Sequence, residues 1–288
     1  MSHQSGPRLR PQEMIREAEL TKQKFLVVEG PTDRNFYSRW LTGNVGQGLS
    51  GQEVIVVAVE TIDLPAEDLL QIGLNDGNRS RVLLFASLAA DSAADIRFIA
   101  DRDCGHNVSD FKMHGLLWTD YPALESYAFT GQILGILNAH FLGERLPSGD
   151  VLVRDLSKVL LELFTVRMHN EHLPTPNLAK GFPKNSKKPS DFDVSKTVDS
   201  SIGAASVTYV RPQFVDPREI VYGHDLAEIL MHLYGNAIKT QAGYSRSEAL
   251  ENAMRAVLLI EKSIGSEPLF VELGSWAVGA ADVVELAA

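Results

Sequence analysis

The chain has 288 residues, of which 44% are hydrophobic and 22% are charged. These fractions are typical of a folded globular protein and exclude a disordered, collagen-like or disulfide-stapled chain. The 27 basic and 37 acidic residues give a formal net charge of -10, which disfavours nonspecific coating of nucleic acid but allows a local basic groove. The length allows one large domain or two smaller ones.

The N-terminus and the cysteine content bear on the cellular compartment. Residues 1–10 are polar and basic and lack the apolar centre of a secretory signal. The single cysteine, Cys104, cannot form an internal disulfide, which fits a reducing compartment. No apolar stretch approaches the roughly 18 to 20 residues of a membrane-spanning helix. We therefore expect a cytoplasmic protein with no membrane partner.

The first part of the chain alternates between helical and strand patterns. Helices are predicted at residues 11–23, from Asp33 to Leu41, and at 78–92, and short apolar runs predict strands at 24–29, 53–60, 95–101 and 115–119. Uninterrupted apolar runs are typical of strands that are buried on both faces. The alternation predicts an α/β fold, with a mostly parallel sheet flanked by helices.

Beyond residue 130 the pattern is mainly helical. Helices are predicted at 131–142, 149–167, 225–240 and 245–263, and the polar, lysine-bearing segment 172–201 is predicted to be a long surface loop. We therefore place an α/β domain at residues 1–130 and a mainly helical region at 131–288. The apolar face of one helix can serve as core or as the interface of a homo-oligomer, and core is preferred; its residues are Leu226, Ile229, Leu230 and Leu233.

Acidic residues follow two of the predicted strands. Glu29 ends the first strand, Asp33 lies four residues later, and Asp101 and Asp103 follow the third strand. Ligands of open parallel sheets bind at the carboxyl ends of the strands, so these carboxylates could converge. A divalent cation would neutralise them, and oxygen ligands suit Mg²⁺ or Mn²⁺. Such an ion can activate water for phosphodiester hydrolysis. Alternatively, Asp33 caps a helix and the Asp-x-Asp pattern arose by chance.

Two of these acidic motifs carry a family resemblance. Residues 25–33, Phe-Leu-Val-Val-Glu-Gly-Pro-Thr-Asp, and residues 98–103, Phe-Ile-Ala-Asp-Arg-Asp, resemble the TOPRIM domain of topoisomerases, primases and OLD-type nucleases. Residues 119–127, Thr-Asp-Tyr-Pro-Ala-Leu-Glu-Ser-Tyr, are similar to a narrower bacterial group of TOPRIM-like proteins. That group often accompanies ABC-type ATPases and includes the nuclease subunit of the PARIS anti-phage system. The resemblance covers about residues 24–129.

The resemblance implies roles for individual acidic residues. Glu29 would be the catalytic or metal-binding glutamate, Asp101 and Asp103 would hold metal, and Asp33 would complete the first acidic cluster. Glu125 would have an auxiliary acidic role, and its alternative is an ordinary acid at the sheet edge. The basic residue that OLD-type nucleases place near the scissile phosphate has no clear counterpart, which leaves proton delivery unassigned.

Basic residues in the second part of the chain are candidates for nucleic-acid binding. Lys184, Lys187 and Lys188 could contact phosphates independently of base sequence, and Phe182 and Phe192 beside them could stack on unpaired bases. The alternative is a solvated loop. His224 lies in a Gly-His turn that resembles one in the narrower group and could face the phosphate; the alternative is a surface or capping histidine.

These features predict a Mg²⁺- or Mn²⁺-dependent nuclease that acts on DNA or RNA, including tRNA. The sequence contains no phosphate-binding loop of the P-loop ATPases, so any ATP would bind a partner subunit. The resemblance implies that this partner is an ABC-type ATPase in an anti-phage defence system. The competing hypothesis is a noncatalytic regulatory or interaction module, and TOPRIM-type strand passage or primer synthesis ranks last.

Overall fold

Four short apolar segments form a parallel sheet. The computed structural model describes residues 9–45, 53–183 and 188–279. Its strands are β1 (Lys24–Val28), β2 (Val54–Ala58), β3 (Ile96–Ala100) and β4 (Leu116–Trp118), in the order β2-β1-β3-β4. Every strand pair is parallel. The predicted α/β fold with a parallel sheet is therefore confirmed, and the apolar runs are the strands whose faces helices cover.

Helices surround the sheet and continue through the rest of the chain. In the first part they are α1 (Pro11–Thr21), α2 (Pro31–Trp40), α3 (Ala66–Gln71) and α4 (Asn78–Ala89), and the π-helical turn Leu41–Val45 follows α2. Later come α5 (Gly131–Phe141), α6 (Gly149–Met168), α7 (Leu178–Gly181), α8 (Ser200–Ser206), α9 (Gly223–Ala242), α10 (Ser247–Ile260) and α11 (Pro268–Val278). No helix in the described part of the chain combines the length and the apolar character needed to cross a membrane.

The chain divides into two compact units that are interleaved in sequence. The first unit comprises the described residues within 1–101, 107–119 and 265–288, and the second comprises 102–106 and 120–264. The predicted boundary after residue 130 differs from this division in three places. Residues 120–130 belong to the second unit and not to the first. The loop after β3 contributes to the second unit, and the C-terminal helix α11 returns to the first.

Aromatic packing explains why α11 belongs with the sheet. Phe270 is fully buried, stacks on Tyr37 of α2 with ring centroids 5.9 Å apart, and meets Trp40 edge-on at 5.0 Å. At the start of β1, the Nζ of Lys24 donates to the carbonyl of Trp276 at 2.8 Å. Aromatic rings bury large apolar areas, so this cluster is a major part of the core of the first unit.

The second unit is mainly helical, as predicted. The apolar face of α9 is at most 4% exposed; its residues are Leu226, Ile229, Leu230 and Leu233. Its interpretation as core is confirmed. The described part of segment 172–201 contains α7 and two 3-10 turns, Pro189–Asp191 and Val194–Lys196, before α8 begins. Short helical turns thus replace the predicted continuous loop.

Candidate active site

The order of the strands identifies the point in the sheet at which the chain changes the direction in which it adds strands. The chain leaves β1 for β2 on one side and then crosses to β3 on the other side of β1. The switch in direction therefore lies between β1 and β3. In open parallel sheets the ligand crevice forms at such a point, outside the carboxyl ends of the strands. Glu29 directly follows β1, and Asp101 directly follows β3.

Glu29 and Asp101 meet at this position. The Oε1 atom of Glu29 accepts a hydrogen bond from the backbone N–H of Asp101 at 2.8 Å. Both residues are half-buried. The structure thus brings together two of the predicted acidic residues, across 72 residues of sequence.

Asp33 has a structural role at the start of α2. Its Oδ2 atom accepts the backbone N–H of Gly30 at 3.1 Å, and Pro31 occupies the first position of the helix. A carboxylate in the first turn satisfies an otherwise unpaired N–H and favours the positive end of the helix dipole. The interpretation of Asp33 as a helix cap therefore explains the role of one of its two carboxylate oxygens.

Asp103 lies in the loop segment 102–106, which belongs to the second unit. Its φ of 48° is left-handed, and its N–H donates to the carbonyl of Pro122 at 2.8 Å. Gly105, with a φ of 88°, closes the turn by donating to the carbonyl of Arg102 at 2.9 Å. Aspartate tolerates this conformation better than most residues, and such backbone strain clusters at functional sites.

The described carboxylates do not form an all-protein metal cage. Among residues 9–45, 53–183 and 188–279, no group of three His, Cys, Asp or Glu side chains is placed to hold a metal ion. Mg²⁺ usually keeps several waters and takes only one or two carboxylates plus phosphate oxygens from a substrate. Glu29 and Asp101 are the two acidic residues that directly follow β1 and β3, on either side of the switch point.

Glu125 is in a different environment from the one that the resemblance implied. It is 3% exposed and forms an ion pair with Arg255 of α10. A Cβ at Gly223 would lie 2.5 Å from its Oε2 and 3.1 Å from its Cβ, so the backbone of α9 closes over this carboxylate. A carboxylate buried against a guanidinium is poorly suited to hold metal. The structure gives no support to an auxiliary catalytic role.

His224 lies in the first turn of α9, which begins at Gly223, two residues before the predicted start of this helix. Its Nδ1 is hydrogen bonded to Oε1 of Glu251 at 2.8 Å. This hydrogen bond raises the pKa of His224 above its ordinary value, against the opposing effect of burial. The imidazole is 65% exposed, whereas the Glu251 side chain is 7% exposed. The ring is accessible, but its clearest contact is an ion pair within the second unit.

The lysine-bearing segment is only partly described. Lys184 and Lys187 lie outside the described residues, and Lys188 is exposed. Phe182 is 6% exposed and stacks on His232 with centroids 4.7 Å apart, and Phe192 packs against it at 5.0 Å. The prediction that Phe182 stacks on unpaired bases is therefore wrong, because its ring is already buried among partners within the second unit.

A cavity in the second unit was not predicted from the sequence. It has a volume of about 250 Å³ and is bordered by Asp103, by α6 and by residues 212–220. These segments are far apart in the sequence, and neither α6 nor residues 212–220 contain a recognisable motif. The local signal is that Asp103 is the second acidic residue of the Asp-x-Asp motif.

Comparisons with models of protein families and with curated proteins found no match to this chain. The resemblance of residues 25–33 and 98–103 to the TOPRIM domain therefore stays a prediction. The described residues add the geometry at the end of β1 and β3, in particular the hydrogen bond from the backbone of Asp101 to Glu29.

Proposed function

We propose that this chain is a metal-dependent nuclease that hydrolyses phosphodiester bonds of DNA or RNA. The observation that carries the proposal is the hydrogen bond from the Asp101 N–H to Glu29, which joins two acidic residues at the switch point of the sheet. The resemblance of the two motifs to the TOPRIM domain adds the type of reaction, since carboxylates alone do not define it.

In this proposal Glu29 and Asp101 hold Mg²⁺ or Mn²⁺, and Asp103 completes the motif. The ion supplies Lewis-acid stabilisation of the phosphate and lowers the pKa of water. One carboxylate oxygen of Glu29 is held by its hydrogen bond from the backbone N–H of Asp101, at the end of β3. Asp33 acts through the backbone, because it fixes the turn at Gly30 that follows Glu29.

The biological setting follows from the narrower resemblance. An ABC-type ATPase partner would control the nuclease in an anti-phage defence system, in the cytoplasm. The net charge of -10 fits a confined substrate groove better than a broad nucleic-acid surface. Lys184, Lys187 and Lys188 are the proposed phosphate contacts, and His224 is the proposed contact at the start of α9.

The test compares cleavage by the wild type, Glu29→Gln and Asp101→Asn. Labelled single-stranded DNA, duplex DNA, RNA and tRNA are incubated with Mg²⁺ or Mn²⁺, with and without any ABC-type ATPase encoded beside this chain. Glu67→Gln on α3 is the matched control, because that glutamate is exposed and lies outside both motifs. We expect both site variants to lose cleavage and the control to retain it. Equal cleavage by all four proteins would contradict the proposal.

A noncatalytic interaction module is the second candidate. The observation in its favour is that the described residues contain no group of three potential metal ligands. In that case the acidic edge binds the basic surface of a partner, without metal. Absence of cleavage on every substrate, absence of Mg²⁺ binding by calorimetry, and partner binding that survives Glu29→Gln would together favour the module.

A further inference from the structure

The cavity in the second unit has the size of a site for one ring system. Its volume is about 250 Å³, below the roughly 300–1,000 Å³ of pockets for drug-sized ligands. Its walls come from the loop that contains Asp103, from the residues after β4, from α6 and from segment 212–220. A single nucleobase is a flat ligand of suitable dimensions.

Apolar and aromatic side chains line one part of this cavity. Phe164 and Met168 lie one turn apart on α6, and Phe214 comes from an irregular segment. Phe214 is half-buried, and its ring contacts no other aromatic ring in the described part of the chain. An aromatic ring that lines the cavity without a ring partner is placed to stack on a ligand.

The polar lining favours a base edge over a phosphate. Gln213 lines the cavity, and its side-chain amide makes no hydrogen bond with any described residue. The charged lining residues are one arginine, Arg102, and three acids, Asp103, Asp120 and Glu219. This excess of carboxylates repels a free anion. A side-chain amide can form two hydrogen bonds with a donor and an acceptor on the edge of a base. A carboxylate can accept a hydrogen bond from the exocyclic amino group of a base.

We infer that this cavity holds one unpaired nucleobase, with Phe214 stacked on its face and the Gln213 amide at its edge. An enzyme that must reach a single nucleotide takes the base out of the stack and holds it between apolar side chains. Binding of the base does not rest on the proposed function.

The experiment measures binding of mononucleotides to the full chain without metal. Saturation-transfer NMR is recorded with the four ribonucleoside and the four deoxyribonucleoside 5′-monophosphates, and with ribose 5-phosphate as the probe that lacks a base. We expect transfer to the base protons and none to ribose 5-phosphate. Stacking on one aromatic ring corresponds to roughly a five- to 150-fold loss of affinity on Phe214→Ala.

Two further variants separate stacking from folding and from edge recognition. Val215→Ala is the matched control, because Val215 is the next residue, is 99% exposed and does not line the cavity. Its affinity should equal that of the wild type. Gln213→Leu should change the ratios between the affinities for the different bases more than it changes the average affinity for all of them. The inference is overturned if ribose 5-phosphate binds as well as the nucleotides, if no nucleotide binds at millimolar concentration, or if Phe214→Ala binds like Val215→Ala.

Failure of this inference is distinguishable from failure of the proposed nuclease. Glu29→Gln should lose cleavage and keep nucleotide binding, because Glu29 does not line the cavity. Nucleotide binding without cleavage would support the pocket and contradict the nuclease. Cleavage that is indifferent to Phe214→Ala, in a protein that binds no mononucleotide, would support the nuclease and overturn the pocket.

Discussion

The carboxylate of Glu29 accepts the backbone N–H of Asp101 at 2.8 Å, and this bond ties the end of β1 to the end of β3. Glu29→Ala should therefore lower the free energy of unfolding by about 1 kcal/mol, the net value of one hydrogen bond. Glu29→Gln keeps an acceptor oxygen and should cost less. Urea unfolding of the three proteins measures the difference, and equal losses in the two variants would argue against this bond.

The same proteins test the metal site without any assay of activity. A ligand that binds only the folded state stabilises it, by about 2.7 kcal/mol at a concentration 100 times its dissociation constant. Mg²⁺ should raise the unfolding midpoint of the wild type and leave that of Glu29→Gln unchanged. Repeating the measurement in Mg²⁺-free buffer, with NaCl added to equal ionic strength, controls for screening by salt.

Asp103 has a left-handed backbone, with a φ of 48°. Alanine in that conformation costs about 1–2 kcal/mol, whereas asparagine and glycine adopt it more readily. Asp103→Ala should therefore be less stable than Asp103→Asn and Asp103→Gly, although all three lack the carboxylate. Thermal unfolding monitored by circular dichroism ranks the variants. Equal unfolding midpoints for Asp103→Ala and Asp103→Gly would show that the backbone of the loop changes to a conformation that alanine adopts without cost.

The sequence was informative wherever the determining interactions are local. The apolar runs that became β1 to β4 and the Gly-His start of α9 are read from neighbouring residues. The family resemblance implied an auxiliary acidic role for Glu125, and no local pattern shows that Arg255, 130 residues later, pairs with its carboxylate. The return of α11 to the first unit and the cavity beside Asp103 likewise depend on contacts between distant segments, which no local pattern encodes.

Phe270 tests whether α11 is an integral part of the first unit. Its ring is fully buried against Phe36, Tyr37 and Trp40. Phe270→Ala should lower the free energy of unfolding by about 3–5 kcal/mol, through lost burial and the cavity left behind. Val271→Ala is the matched control, since the neighbouring Val271 is 51% exposed and should change stability by about 0.5 kcal/mol or less. Comparable losses in the two variants would place α11 outside the core.

The pair formed by Glu125 and Arg255 distinguishes a structural from a catalytic glutamate. Both side chains are largely buried, at 4% and 14% exposure. Removing one partner leaves a buried charge, so Arg255→Met should cost about 3–5 kcal/mol. The double variant Glu125→Gln/Arg255→Met should lose less than the two single variants together. Additive losses in this cycle, measured by denaturant unfolding, would mean that the two residues do not interact.

His224 gives the second unit a defined dependence of stability on pH. Its hydrogen bond with Glu251 raises the pKa of the imidazole in the folded state above the ordinary value of 6.5. The folded state then binds the proton more tightly than the unfolded state. This stabilisation is fully present below about pH 6.5 and is lost as the pH rises through the higher folded pKa. The advantage of the wild type over His224→Gln should therefore shrink from pH 6 towards pH 9.

A second group on α9 also has a shifted pKa. Burial, followed by the charge of Asp225, raises the pKa of Glu228 from its ordinary value of 4.5. Urea unfolding across the range, with His140→Gln as control, isolates the contribution of His224. His140 is exposed on α5 and makes no hydrogen bond with any described residue. A difference between wild type and His224→Gln that stays constant with pH would show that the ion pair does not stabilise the fold.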